Sequence, residues 1–363
     1  MKRIFLSLCF LISLSVAAQT RNKNNKAIFL EDISWTKAKE VLTQDAVVVI
    51  PLGAAAKEHG PHLPLATDYI QAEHYKNMVA LERKVIITPT LSYGLYPAFI
   101  KYPGSTTTFF TTSRNMLLDI IRTLSGFGPK RFYVINIGVS TLPALQQAAS
   151  ILKQEGIVLY YSDYARPNYE NAEKGIKERE AGGHADEIES SNVLFMRPEL
   201  VDMSKAVDDT TGYTRPGPLT PVPMAPGKLS PSGIIGFATF ANADKGKRNT
   251  INFTKELVKD IDSVATCALP VPIDNSVAYK PFLGNYTGAK GESIEIGFDN
   301  NRLYYIMNKG RDLRKFFPLF PDSEDHFTSM YVDFLFVRDE NREVVKLWCS
   351  FRGDNFWLTK VSR

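Results

Sequence analysis

The chain has 363 residues, of which 44% are apolar and 23% charged, with a formal net charge of +4. That length favours two domains over one, and the balance excludes a disordered chain or a collagen-like repeat. Three cysteines exclude a disulfide-rich scaffold, and setting aside Lys2 and Arg3 leaves a near-neutral chain that does not look like a nucleic-acid binder.

In chain order, Met1-Lys-Arg, an apolar run from Ile4 to Val16 and Ala17-Ala18 read as a secretory signal over residues 1–18. The run is shorter than the roughly 20 apolar residues a membrane-spanning helix needs. An exported mature chain, periplasmic or secreted, is expected, with no transmembrane segment. Trp35 to Leu42 has helical spacing. The continuous apolar run ending at Pro51 suits a strand buried on both faces. Asp68 to Arg83 reads as a helix and Lys84 to Pro89 as a second strand. Thr112 is a good helix N-cap for a helix running to Gly126. Arg131 to Ile137 is a third strand, Leu142 to Gln154 a helix, and Ile157 to Ser162 a fourth strand. This alternation predicts a mostly parallel sheet with helices on both faces, an α/β/α domain over residues 27–268. In such sheets ligands bind beyond the C-terminal strand ends.

Asp202 to Arg248 is rich in Pro and Gly, as in Arg215-Pro-Gly-Pro218, and reads as a long loop. Helical periodicity returns from Asn249 to Cys267. Pro270-Val-Pro272 reads as a linker. Beyond it, Ser293 to Ile296, Arg302 to Ile306, Met330 to Val337 and Val344 to Phe351 predict a small antiparallel β domain over residues 275–363. Cys267 and Cys349 would remain after signal removal, and their pairing is open.

Three stretches carry chemistry. Two of the five histidines fall in Glu58-His59-Gly-Pro-His62, directly after the first strand, with Asp68 close behind. Glu58, His59 and Asp68 can supply nitrogen and carboxylate ligands to Zn²⁺ or Mn²⁺, and His62 would be left to contact substrate. The bland reading is a rigid turn whose histidines only hydrogen-bond. In the second stretch, His184-Ala-Asp-Glu-Ile-Glu189-Ser-Ser, the His and Glu can exchange protons or act as ligands. The same Glu could equally cap a helix. In the third, Asn136-Ile-Gly-Val-Ser140-Thr141, the two hydroxyls at a strand end could bind substrate, or simply close a turn. His74 sits on a helix with no clustered partner and His326 lies in an acidic turn, Asp322-Ser-Glu-Asp325; both read as packed or solvated histidines.

Taken in order, these stretches resemble the creatininase, or creatinine amidohydrolase, family. His59 to Asp68 resembles the family's His-Gly-Pro-His-Leu-Pro-x-x-Thr-Asp, and His184 to Ser191 its His-Ala-Gly-x-x-Glu-Thr-Ser. Tyr102-Pro-Gly-Ser105 and Gly233-Ile-Ile-Gly236…Ala241-Asn-Ala-Asp-Lys-Gly246 resemble two further segments. The resemblance covers residues 28–265. It implies a three-layer α/β/α fold, homo-oligomers and hydrolysis of a cyclic or linear amide by two divalent metals. Asp68 would bridge the metals, His59 would be a ligand, His184 would move protons to the leaving nitrogen and Glu189 would assist it.

The chain departs from that pattern in two places. The family's Glu two residues before the first His is Lys57 here, with one extra residue between Gly53 and His59. Its Asn-Gly-His-x-Glu segment is Asn136-Ile-Gly138-Val-Ser140, so a metal His and a metal Glu are replaced. The expectation is an exported amidohydrolase with one divalent ion, or two, acting on a small-molecule amide. The rival is a non-catalytic binding protein on the same scaffold, without metal. A third reading gives the β domain the main role, as a recognition module.

Overall fold

The structure, a computed structural model, describes residues 24–180, 182–210, 219–223, 225, 227–299, 301–308, 316–329, 332–351 and 354–361. The signal segment, Arg215 to Pro218 and Met330 lie outside the described residues. The chain divides into two compact units between Pro272 and Ile273.

In the first unit, β1 (Ile28–Phe29), β2 (Val47–Leu52), β3 (Ile86–Ile87), β4 (Arg131–Asn136) and β5 (Val158–Tyr161) form one sheet. Its order is β1-β3-β2-β4-β5, and every pairing is parallel. Every residue of β2 is buried, because successive side chains enter opposite helical layers. Val47 and Val49 pack with Tyr75, Val79, Phe253, Leu257 and Ile261. Val48 and Ile50 pack with Leu117, Ile121, Leu145 and Leu152. The first layer holds α2 (Thr67–Glu82), α5 (Pro167–Glu173) and α7 (Ala243–Thr266); the second holds α3 (Phe110–Ser125) and α4 (Leu142–Gln154). Helix α1 (Trp35–Val41) precedes β2, and α6 (Glu187–Met196) packs on α7. The fold is the expected three-layer α/β/α sandwich, with a wholly parallel sheet.

Two helix starts differ from the sequence reading. Helix α3 begins at Phe110, so Thr112 lies inside its first turn, and the N-cap, Phe109, offers no side-chain acceptor. Helix α7 begins at Ala243, where the Asn242 side chain accepts from the Lys245 N–H at 3.0 Å. Gly246 interrupts the apolar period there. A Cβ on Gly246 would run into the Ser191 carbonyl, so a glycine lets α6 and α7 approach this closely.

The topology creates a crevice. The chain leaves β2 through α2 to β3 on one side, then crosses through α3 to β4 on the other. Between β2 and β4 the winding reverses, and the loops beyond their C-terminal ends separate.

The Pro/Gly-rich segment contributes short pairs, Asp208–Asp209 (β6) with Gly236–Phe237 (β9), and Leu219–Thr220 (β7) with Lys228–Leu229 (β8).

Among the described residues the second unit is a nine-stranded antiparallel sheet, and five strands join the four read from the sequence: Gly284–Gly288, Phe316–Pro318, Phe320–Pro321, His326–Thr328 and Asp354–Lys360. The turn-like Gly-Asn-Tyr-Thr-Gly composition hides the first. An aromatic core of Phe282, Tyr286, Phe327, Phe334 and Phe336 fills one face. Among the described residues neither Cys267 nor Cys349 forms a disulfide.

Candidate active site

Three segments meet at the crevice: the β2 loop carrying Lys57 to Asp68, the β4 loop at 137–141, and the N-terminus of α6. Asp186 caps α6, its Oδ1 accepting from the N–H groups of Ile188 and Glu189 at 3.0 and 3.2 Å. Such a cap is worth about 1 kcal/mol. Glu189 therefore sits in the first turn, where its Oε2 accepts from the Ala185 N–H at 2.7 Å. Gln71, three residues after Asp68 and on the same face of α2, donates to Glu189 Oε1 at 3.3 Å. Asn192 donates to Gln71 and Asn249 to Asn192, each at 3.1 Å. A polar chain thus ties Glu189 to α2, α6 and α7.

His59 is fully buried. Its Nδ1 lies 2.9 Å from the Lys57 carbonyl, which can only accept, so Nδ1 carries a proton. Its Nε2 faces two carboxylate oxygens, Asp68 Oδ1 at 2.8 Å and Glu189 Oε1 at 3.5 Å. Only a proton or a metal ion on Nε2 makes that arrangement favourable. Without a metal, burial and the charge of Lys57 push the imidazole pKa down, but Asp68 and Glu189 outweigh them and carry it to about 9. Burial alone would raise the Glu189 carboxyl, but the neighbouring His59, then His184 and Lys57, hold it well below the usual range.

His184 lies beside His59, ring centroids 4.9 Å apart, with the Phe99 ring 4.4 Å away. Its Nε2 donates to Glu58 Oε2 at 3.0 Å, which leaves Nδ1 free, 3.8 Å from Glu189 Oε2. Among the described residues, His59, His184 and Glu189 form a cluster whose ligand atoms lie within 4.8 Å of one another.

These residues fit a divalent ion. At tetrahedral Zn–N and Zn–O bond lengths, ligand atoms stand roughly 3.3 Å apart, close to the spacings from Glu189. Each imidazole also has its other nitrogen fixed by an acceptor, the outer partner that orients histidine ligands in metal sites.

The sequence-derived assignments are therefore redistributed. Glu58 turns away from Asp68; its Oε1 accepts from the Gly60 N–H and its Oε2 from His184. It lies against Gly233, where a Cβ would collide with it. The two Glu58 oxygens are thus committed to the Gly60 N–H and to His184. Asp68 divides its oxygens between His59 and Lys57, the latter an ion pair at 2.7 Å. That oxygen, Oδ2, accepts no aligned hydrogen bond, so charge rather than direction holds the pair.

His62 is buried, donating from Nε2 to Ser190 Oγ at 2.7 Å, while the Ser190 hydroxyl donates to the Ala185 carbonyl at 3.2 Å. Burial lowers its pKa to about 4, so it stays neutral. Thr141 is buried too, its hydroxyl donating within the β4 loop to Asn136 Oδ1 and the Gly138 carbonyl. Neither is among the residues lining the cavity beside the site. A cavity of about 990 Å³ opens onto the site, lined by Lys57, Ser140, His184 and Glu189 among others. Of the three side chains expected to contact substrate, Ser140 alone lines it. Phe99 and Gln71 escaped the sequence reading. Gln71 is signalled by its spacing from Asp68, whereas Phe99, at the end of a three-residue 3-10 turn (Pro97–Phe99), carries no periodic signal.

A histidine–carboxylate cluster beyond the strand ends of a parallel α/β/α sheet lies where such sheets hold their ligands. The family model described as creatinine amidohydrolase matches residues 31–261, and the chain belongs to the creatininase family. Curated relatives include a 3-dehydro-scyllo-inosose hydrolase of Thermotoga maritima, 26% identical over 64% of this chain and 83% of that protein. A creatinine amidohydrolase of Pseudomonas putida is 26% identical over 61% of this chain and 92% of its own length. A mycofactocin precursor peptide peptidase of Mycolicibacterium smegmatis is 25% identical over 61% and 86%. A crystal structure of creatininase shares the fold, with a TM-score of 0.56 and 20% identity over 66% of this chain and 99% of that one. The β unit, Ile273–Arg363, lies beyond the family match.

Proposed function

We propose that the chain is an exported hydrolase of an amide C–N bond in a small molecule. In this reading it works with one divalent ion, zinc or manganese, held by His59 Nε2, His184 Nδ1 and Glu189. The observation that carries the reading is the fixed orientation of both imidazoles. Lys57 O and Glu58 each engage one ring nitrogen, and the other nitrogen of each ring turns toward Glu189. Membership in an amidohydrolase family supports the reaction class. Such an ion supplies Lewis acidity and the activation of water for attack.

The chain's own groups do the positioning. Gln71 and the Ala185 N–H hold Glu189, Glu58 holds His184, and Ser140 faces the cavity to receive a polar substrate atom. His184 was expected as the proton donor to the leaving nitrogen. With Nε2 committed to Glu58, only Nδ1 is left, and it belongs here to the ligand set. The relatives carry names for very different substrates, so the family leaves the amide open.

The test is elemental analysis of the purified full chain together with a screen of cyclic amides, linear amides and short peptides. One ion per chain and hydrolysis of one class, both lost in Glu189→Gln, is the expected result. Undiminished turnover by metal-free protein would sink the metal assignment. Absence of both metal and turnover would favour the binding-protein rival.

A further inference from the structure

The two oxygens of Asp68 face different neighbourhoods. Oδ1 looks toward His59 and the ligand cluster. Oδ2 looks toward Lys57 Nζ at 2.7 Å, in a pair whose side chains are 5% and 1% exposed. On its other side Nζ lies 4.8 Å from the Phe99 ring centroid and 5.8 Å from that of Tyr96, within cation–π range. The β4 loop closes the space. A Cβ built on Gly138 would lie 3.9 Å from Asp68 Oδ2 and 4.0 Å from Lys57 Nζ. An imidazole extending from that position would enter the volume the lysine holds.

The two-ion arrangement implied by the family resemblance needs a second donor set on this side of Asp68. The residues here do not fit one. Lysine stands for the expected Glu, glycine for the His and serine for the second Glu. Among the described residues the metal-ligand cluster lies on the His59 side.

We propose that the Lys57 side chain is itself the second cation of this site. It takes the place beside Asp68 Oδ2 that a divalent ion would otherwise hold, so the folded chain takes up one divalent ion and no more. The Asp68 carboxylate then keeps a buried charged partner at Oδ2, opposite the His59 contact at Oδ1. Unlike an ion, this charge is covalently anchored and cannot be chelated away. Lys57 also lines the cavity, so it presents a preorganised positive charge to any oxygen that gains negative charge there.

This inference rests on the reading above only in expecting an ion at His59, His184 and Glu189, and the test separates the two. Metal-stripped full-length protein is titrated calorimetrically with Mn²⁺, and bound manganese is counted by elemental analysis. Wild type and Lys57→Arg are expected to take one equivalent. Lys57→Glu, which replaces the cation with a donor, is expected to gain one more than wild type. Two equivalents in wild type overturn the proposal. No ion in wild type overturns the metal assignment above instead, and this proposal then stands or falls on whether Lys57→Glu gains one. A Lys57→Glu variant with a native circular-dichroism spectrum and no gain overturns it. Should that variant fail to fold, Lys57→Gln, which removes the charge at similar volume, takes its place under the same criterion.

Discussion

Each unit of the chain contains a histidine set between two carboxylates, and the two have little else in common. In the α/β unit His59 Nε2 meets Asp68 and Glu189 with its side chain wholly excluded from solvent. In the β unit His326 meets Asp322 at 3.0 Å and Asp333 at 2.8 Å, but its side chain is 27% exposed and the two acids more so. Contact distances alone do not distinguish these clusters. Burial does, because the His59 ring and Asp68 are closed off from solvent whereas all three members of the second cluster are screened by it. The first also opens onto a cavity and gathers a second imidazole.

The comparison is tested most severely by His59→Ala. It leaves Asp68 and Glu189 facing each other without the positive group between them. A loss of about 3–5 kcal/mol is expected, together with loss of metal uptake, read by denaturant titration and elemental analysis. A cost below about 1 kcal/mol would mean that burial is not what sets His59 apart.

Phe334→Ala in the fully buried aromatic core of the β unit should cost a comparable 3–5 kcal/mol in that unit's unfolding transition. Metal content should be unchanged, and a parallel loss of metal would show that the site does not belong to the α/β unit alone.

A smaller, pH-dependent effect belongs to His62. Its folded pKa of about 4 lies below the ordinary 6.5. Between those values the unfolded chain binds the proton and the folded chain does not. Its contribution to stability is therefore complete above pH 6.5 and declines as pH falls toward 4. His62→Gln should flatten that part of the profile of urea midpoint against pH, and unchanged slopes would remove burial of a neutral imidazole as the cause.

The smallest effect is expected from His326→Ala. Its exposed pairs should contribute no more than about 1 kcal/mol, with metal content untouched. A larger loss would erase the contrast between the units.

Much of this architecture is legible in the sequence, because period-2 and period-3.6 patterns register which faces are buried. Helix α4 matches its expected bounds from Leu142 to Gln154. Caps are harder to read, since Thr112 has the chemistry of an N-cap but the backbone turns helical before it. The grouping of His59, His184 and Glu189 follows from motifs at strand ends and a helix start. The direction of Glu58 does not, because its partner His184 lies 126 residues away and the loop's sequence does not mark which way the side chain turns. The fates of Thr141 and His62 were equally hidden. Thr141 bonds within its own turn, while His62 Nε2 pairs with Ser190, 128 residues along the chain, and neither partner is marked by sequence spacing.

The close crossing of α6 and α7 at Gly246 has a consequence for tuning. Glu189 rides on the first turn of α6, and Ser191, two residues on, rests against that glycine. Any side chain at position 246 would push α6 outward and carry the carboxylate away from His59. The placement of Glu189 against His59 is thus set partly by the thickness of a helix–helix seam, a mechanical adjustment made without touching either side chain.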